Sequence, residues 1–204
     1  MIIFDLDGTL ADCEHRRHFV DPLAPRPGGE DYQLSRYSPE LNIEYFHKYG
    51  NGKAGFFYRD THKRWQPDWK SFYEACDNDE PILPTLGILN RLLYTEKKVE
   101  IWSGRSECVR EKTEKWLVKN SIFSSKYSFE IKMRPIGDTT PDDEMKERWL
   151  RERCNHISLD LTTGKETWNG HGIDFVFDDR PKVIRMWRRR GIFVFNCCQH
   201  DEEF

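Results

Sequence analysis

The chain has 204 residues, 37% hydrophobic and 14% aromatic, enough for a packed core and too much for wholesale disorder. Lys and Arg number 32 against 35 Asp and Glu, a net charge of −3. No global attraction therefore draws the chain to nucleic acid or anionic membrane, and a polyanion must be met by a local basic patch. No apolar run is long enough to cross a bilayer, and the first residues read as a strand rather than a secretory leader. The six cysteines follow no CxxC or regular spacing, so they are expected as thiols in a reducing cytoplasm.

In chain order, residues 2–4 form an apolar run of strand type, closed at once by Asp5-Leu6-Asp7-Gly8-Thr9. Residues 13–80 then show no clear period, with glycine- and proline-rich turns at 25–29 and 49–55. They are too long for an ordinary loop and are expected to form an inserted cap or lid, leaving 1–12 and 81–204 as the core. Early in the insertion, His15-Arg16-Arg17-His18 sets basic and titratable groups close behind the first acidic pair. These either receive a phosphate or pair with Glu14 and Asp21. Tyr58, Trp65, Trp69, Phe72 and Tyr73 either stack a base or make the cap's own small core.

After Pro84, Leu86, Leu89, Leu92 and Leu93 fall on one helical face. The strand-like run 99–102 ends on Ser103-Gly104-Arg105. Ser106 then suits the N-cap of a helix whose apolar face is Val109, Thr113, Trp116 and Leu117. The run 129–131 is followed by Lys132 and Arg134, and a helix around Met145 and Trp149 carries Lys146. Residues 158–172 suit a hairpin or flap turning at Thr163 and Gly164. The run 175–177 ends on Asp178-Asp179-Arg180. Val183, Ile184, Met186 and Trp187 share a helical face closed by Gly191, and 192–195 is a final strand. Such alternation predicts an α/β fold: a doubly wound parallel sheet with helices on both faces. Ligands gather beyond the carboxyl ends of such strands, and Asp5, Ser103 and Asp178 each fall at one.

Several buried carboxylates without counter-charge are costly, so acidic pairs at two strand ends imply a shared hard cation. Asp5 and Asp7, two apart, can point to the same side, and Gly8 lets the backbone leave the strand sharply. One carboxylate can then attack phosphorus while the other protonates the departing alkoxide and later activates water. A phosphate dianion facing four carboxylates needs cations between, a hard metal ion among them.

DLDGTL resembles the first signature of the haloacid dehalogenase-like phosphohydrolases. Ser103 ending VEIWS, Lys146 in DDEMKERW and FDDR at 177–180 follow in that family's order. The resemblance implies a Rossmann-like core with the cap inserted between the first and second motifs. It makes Asp5 the nucleophile of an aspartyl-phosphate and Asp7 the acid/base, with Ser103 and Lys146 on the phosphoryl oxygens. Mg²⁺ would lie on Asp5, the Asp7 backbone carbonyl and Asp178, with Asp179 close behind. Lys132 is the rival for the lysine role; family order favours Lys146.

The segment VFDDRPKVIRMWRRRGIFVFNC, Ser103-Gly104-Arg105 and Gly137-Asp138-Thr139 ahead of Asp142-Asp143 are similar to the 3′-phosphatase domains of bacteriophage-type polynucleotide kinase–phosphatases. No GxxxxGK[ST] loop is present, so the kinase half has no counterpart. The expected substrate is a 3′-phosphorylated DNA or RNA end, in the host cytoplasm if the source is a phage. Thr9, Gly104, Arg105, Arg134, Arg180, His15, Arg16 and Arg17 are the candidate phosphate contacts; Arg180 could instead tie down Asp179. The alternatives are a nucleotidase acting on free nucleoside 5′-monophosphates and a catalytically silent nucleic-acid-binding module.

Overall fold

β1 (Ile2–Phe4) is buried on both faces, and its three side chains alternate between two cores. The structure, a computed structural model, describes residues 1–24, 37–38, 41–49, 53–95, 97–120, 129–164 and 166–198, with backbone alone at 37–38, 48–49 and 53. The turn expected at 25–29 and most of that at 49–55 lie outside the described residues or side chains. After β1 comes the short β2 (Ala11–Asp12). Then follow β3 (Tyr37–Ser38), β4 (Ile43–Tyr49), β5 (Lys53–Tyr58) and α1 (Trp69–Glu74). β6 (Glu80–Pro81), α2 (Leu83–Leu93), β7 (Val99–Ser106) and α3 (Arg110–Asn120) are next. β8 (Glu130–Arg134) and α4 (Asp142–Arg153) precede β9 (His156–Leu159) and β10 (Glu166–Asn169). β11 (Phe175–Asp178), α5 (Pro181–Arg189) and β12 (Val194–Asn196) complete the order.

The chain divides into two compact units, Met1–Asp12 with Glu80–Phe204, and Cys13–Asp79. The first is built on a five-stranded parallel sheet in the order β12-β11-β1-β7-β8. The chain winds outward from β1 through β7 and β8, then returns to the other side of β1 for β11 and β12. The winding direction thus reverses at β1, and such a reversal opens a crevice at the strands' carboxyl ends. On one face, Leu86, Leu89 and Leu93 of α2 and Trp116 and Leu117 of α3 pack on Ile2, Phe4 and Ile101. On the other, Met145 and Trp149 of α4 and Val183, Ile184, Met186 and Trp187 of α5 pack on Ile3, Trp102 and Val176. Trp102 holds the second layer together, with the Trp149 and Trp187 rings each 5.7 Å away, centroid to centroid.

The helix ends follow from local chemistry. Pro181 opens α5, where its missing N–H costs no helical bond. Gly191 closes it at φ +78° while Gly191 N–H donates to the Arg188 carbonyl and Ile192 N–H to the Trp187 carbonyl, satisfying carbonyls the helix leaves open. Ser106 caps a short 3-10 turn (Glu107–Val109) that leads into α3. The expected hairpin is β9 and β10, which begin at His156 and end at Asn169. Its turn is held by Asp160, which accepts from Thr162 N, Thr163 N and the Thr163 hydroxyl.

Two strands run further than their apolar runs suggest. β8 continues to Arg134, and β7 continues through Ser103-Gly104-Arg105, so Ser103 lies inside the strand rather than at its end. Among the described residues, no helix is long and apolar enough to cross a membrane, and the six cysteines form no disulfide.

The unit Cys13–Asp79 holds a 3-10 helix (Glu14–Phe19), an antiparallel β3-β4-β5 sheet and α1, capped by Asp68 accepting from Ser71 N at 3.0 Å. No strand was legible here, because its apolar and aromatic positions do not alternate cleanly. Ile43, Phe57, Phe72 and Cys76 are buried, while Tyr58 and Trp69 are exposed.

Candidate active site

Where β1 ends, Asp5 N–H donates to the Phe177 carbonyl of β11 at 2.9 Å, which extends the pairing and brings Asp5 beside Asp178. Lys146, on the inward face of α4, is fully buried. Its ammonium donates to Asp5 Oδ1 at 2.8 Å and to Asp178 Oδ2 at 2.9 Å. Asp178 also accepts from the Trp187 indole at 3.4 Å and from Arg180 N at 3.2 Å. Asp5, Asp178 and Asp179 each present an oxygen within 4.8 Å of the others. Lys132 lies elsewhere, bonded to Glu152 at 2.9 Å over the rings of Trp102 and Trp149.

Asp7 faces Arg105, whose Nε and Nη2 both donate to Asp7 Oδ1, the first at 2.8 Å. A break in register makes this possible. Ser103 pairs with Met133 and Ser106 with Arg134, so Gly104 and Arg105 bulge out of the ladder. Bulges re-aim side chains, and here one turns a strand arginine onto an acid 98 residues earlier. Ser103 is buried, its hydroxyl accepting from Arg105 N at 3.1 Å.

Asp142, in the first turn of α4, accepts from Arg134 Nη2 and Arg180 Nη1. Arg134 also donates to the carbonyls of Gly104 (2.9 Å), Asp138 (3.2 Å) and Thr140 (2.5 Å). Arg134 is therefore a strut that holds the bulge against α4. Arg180 is bonded to Asp142. A side chain on Gly104 has no room, since a Cβ would lie 2.7 Å from Asp142 Oδ1. Asp142 stands four residues before Lys146, on the same helical face, and that spacing is the signal that could have placed it at the site.

Thr9 is fully buried and donates its hydroxyl to Asp179 Oδ1 at 3.3 Å, so it helps orient that carboxylate. Gly8 sits at φ +79°, where a Cβ would lie 2.1 Å from Asp179 Oδ2. Glycine is the residue that permits this approach.

The basic run lies in the inserted unit. Arg16 is fully buried, donating Nε and Nη2 to the two oxygens of Asp79 at 2.7 Å each and Nη1 to the Phe72 carbonyl at 3.1 Å. Its guanidinium stacks on the Phe72 ring at 4.2 Å. Arg16 thus forms a core ion pair of that unit. His15 shares Asp79 at 2.9 Å, and Arg17 reaches Glu14 and Asp21 at 3.4 Å.

Burial and the neighbouring Asp178 and Asp179 carboxylates push Asp5 well above the usual range, against the pull of Lys146. Burial and Asp178 push Asp179 up to about 7. Burial would lower Lys146, but Asp178, Asp5 and Asp142 outweigh it and hold the ammonium above its ordinary value. Asp142 is held below the carboxylate range although burial opposes it, because Arg180, Lys146 and Arg134 surround it. Three carboxylates share one ammonium, a formal excess of two negative charges when all are ionised, and the upward shifts of Asp5 and Asp179 express that excess. An all-oxygen donor set with that excess fits a divalent hard cation such as Mg²⁺.

Residues 60–202 match the family model described as "Polynucleotide kinase PNKP phosphatase domain". A viral relative, the "Putative bifunctional polynucleotide kinase/RNA ligase" of Autographa californica nuclear polyhedrosis virus, is 33% identical over 143 residues. That match covers 68% of this chain but 18% of the viral protein. Two structures of the Pnkp1/Rnl/Hen1 complex, one named an RNA repair complex, contain a similarly folded chain, with TM-scores of 0.54 and 0.53 and 22% and 21% identity. Each match covers 98% of this chain and 43% or 46% of the other, so the chain spans less than half the length of these relatives. These last likenesses are of fold. The family match spans well over half of the chain, from the inserted unit through the Asp178–Asp179 pair to the final strand: the chain belongs to the polynucleotide kinase phosphatase domain family and is a phosphatase of the haloacid dehalogenase type.

Proposed function

We propose that this phosphatase hydrolyses phosphomonoesters with Mg²⁺ through an aspartyl-phosphate on Asp5, and that its substrate is the 3′-phosphorylated end of a DNA or RNA strand. The observation that carries the chemistry is the ammonium of Lys146 shared by Asp5 and Asp178, with Asp179 beside them. Asp5, Asp178, Asp179 and the backbone carbonyl of Asp7 would hold the ion. When bound, it offsets the charge of nucleophile and phosphate and aligns them for in-line displacement.

A carboxylate oxygen of Asp5 attacks phosphorus, and the bond from phosphorus to the ester oxygen breaks. The Asp7 carboxyl gives its proton to the departing alkoxide. In the second half, the Asp7 carboxylate takes a proton from water, whose oxygen attacks phosphorus and frees Asp5. Arg105 steadies Asp7 for both transfers. Ser103, the Gly104–Arg105 bulge and Lys146 meet the phosphoryl oxygens. The unit Cys13–Asp79 is assigned to substrate selection, and the six cysteines suit a cytoplasmic setting.

The polynucleotide substrate is supported by the family and by a relative named for RNA repair. The test compares a 3′-phosphorylated oligonucleotide with 3′- and 5′-mononucleotides, with Mg²⁺ and with EDTA. The oligonucleotide should be turned over best, only with metal, and not by Asp5→Asn. A preference of about tenfold or more for 5′-mononucleotides, some 1.4 kcal/mol in the barrier, would overturn the substrate and favour a nucleotidase.

A further inference from the structure

Helix α5 begins directly after Asp178-Asp179-Arg180, so its first turn stands at the edge of the sheet that carries the site. Val183, Ile184, Met186 and Trp187 are buried on its inner side. Its outer side shows Lys182, Arg185, Arg188 and Arg189, all exposed, and residues 180–200 contain no Asp or Glu. This concentration of cations occurs in a chain whose net charge is −3. The neighbouring α4 shows water a mixed set, Glu144, Arg148, Arg151 and Glu152. Its Glu147 accepts from Arg189 at 3.0 Å and Arg190 at 2.6 Å, at the far end of α5.

The helix dipole favours cations in the last turn but not Lys182 in the first or Arg185 in the middle. Lys182, Arg185 and Arg188 recur every three residues along the exposed side, about 9 Å from first to last along the axis. A stacked strand advances about 3.4 Å per phosphate, so the stripe spans about three phosphates.

We infer that the outward face of α5 is a track for the sugar–phosphate backbone of the substrate strand, on the 5′ side of the phosphate to be removed. This rests on the polynucleotide reading above and adds where the strand is held.

The test uses Lys182→Glu/Arg185→Glu/Arg188→Glu in the full chain, with the matching triple glutamine variant in case charge reversal impairs folding. Substrates are a 3′-phosphorylated strand of about twelve nucleotides and a 3′-mononucleotide, each over a range of salt. Wild type should gain from the longer strand. The variants should lose about tenfold or more in kcat/KM on the strand, keep mononucleotide turnover, and show a log–log salt slope flatter by about two, at about 0.7 per lost phosphate contact. If wild type gains nothing from length, the polynucleotide reading falls and this track with it. If wild type gains and the variants gain equally, only the track falls. Equal loss on both substrates by a variant that melts like wild type would move the effect to the catalytic edge and overturn the track. So would anionic vesicles that retain wild type but not the variants while strand turnover is unchanged.

Discussion

Lys146 and Asp5 lie 141 residues apart in sequence, yet the buried ammonium of one donates to the carboxylate of the other at 2.8 Å. The bond joins α4 to the end of the central strand, and Asp178 on the next strand shares it. Without that cation three acids would face one another in a buried cluster. Lys146→Met should therefore lower the metal-free unfolding free energy by about 3 kcal/mol or more, because it strands buried charge. Asp5→Asn should act oppositely, raising the metal-free melting temperature by about 2–4 °C for each kcal/mol of relieved repulsion while abolishing turnover. Calorimetry of both variants in EDTA decides the matter; a Lys146→Met melt matching wild type would remove the ammonium from this role.

Asp142 sets a pH dependence. Its folded-state pKa lies below the ordinary 3.8 because Arg180, Lys146 and Arg134 outweigh the burial that opposes them. The unfolded chain thus binds the proton more readily. The stability it contributes is complete above about 3.8 and is lost as pH falls below that value toward the folded one. Urea titrations of wild type and Asp142→Asn should differ by a constant amount from pH 5 upward and converge in more acidic buffer. A gap that widens on acidification would show the sign to be wrong.

Gly8→Ala tests the approach of the first loop to Asp179. A methyl there would sit 2.1 Å from a carboxylate oxygen at a backbone angle that disfavours side chains. Expected are a loss of about 1–3 kcal/mol in stability and a sharper loss of turnover, since Asp179 must move. Wild-type kcat in Gly8→Ala would mean that Asp179 has room to spare.

In the inserted unit, Arg16 and Asp79 form a fully buried, two-bonded pair. Replacing either one by leucine should cost about 3–5 kcal/mol, whereas replacing both should cost much less. A double-mutant cycle read by denaturant melts measures the coupling. Additive losses would count against an isolated pair.

Much of this architecture is legible in the residues. The runs ending at Asp5, Ser103 and Asp178 mark three neighbouring strands, because apolar stretches of that length bounded by acids, Ser or Gly suit buried parallel strands. Trp116, Trp149 and Trp187 sit on the helical faces that periodicity assigns them. Other features depend on geometry that spacing does not record. Nothing in VEIWSGRS says that Gly104 and Arg105 leave the ladder together, and the partner of Arg105 depends on that bulge. Arg16 and Arg134 look like anion receptors because an arginine's type does not reveal whether an acid or a carbonyl of its own fold will take it up first. Asp79 and Gly104 do so here.

β1 lies hydrogen-bonded between β7 and β11, although more than 170 residues separate it from the latter along the chain. During synthesis, the strand that ends at Asp5 must wait for about 170 further residues before its second neighbour arrives. A truncated product ending ahead of Phe175 could still form the half with β7 and β8, but it would expose one flank of β1 and lack both Asp178 and Asp179. Chains cut short there would expose that open flank and be prone to stick through it.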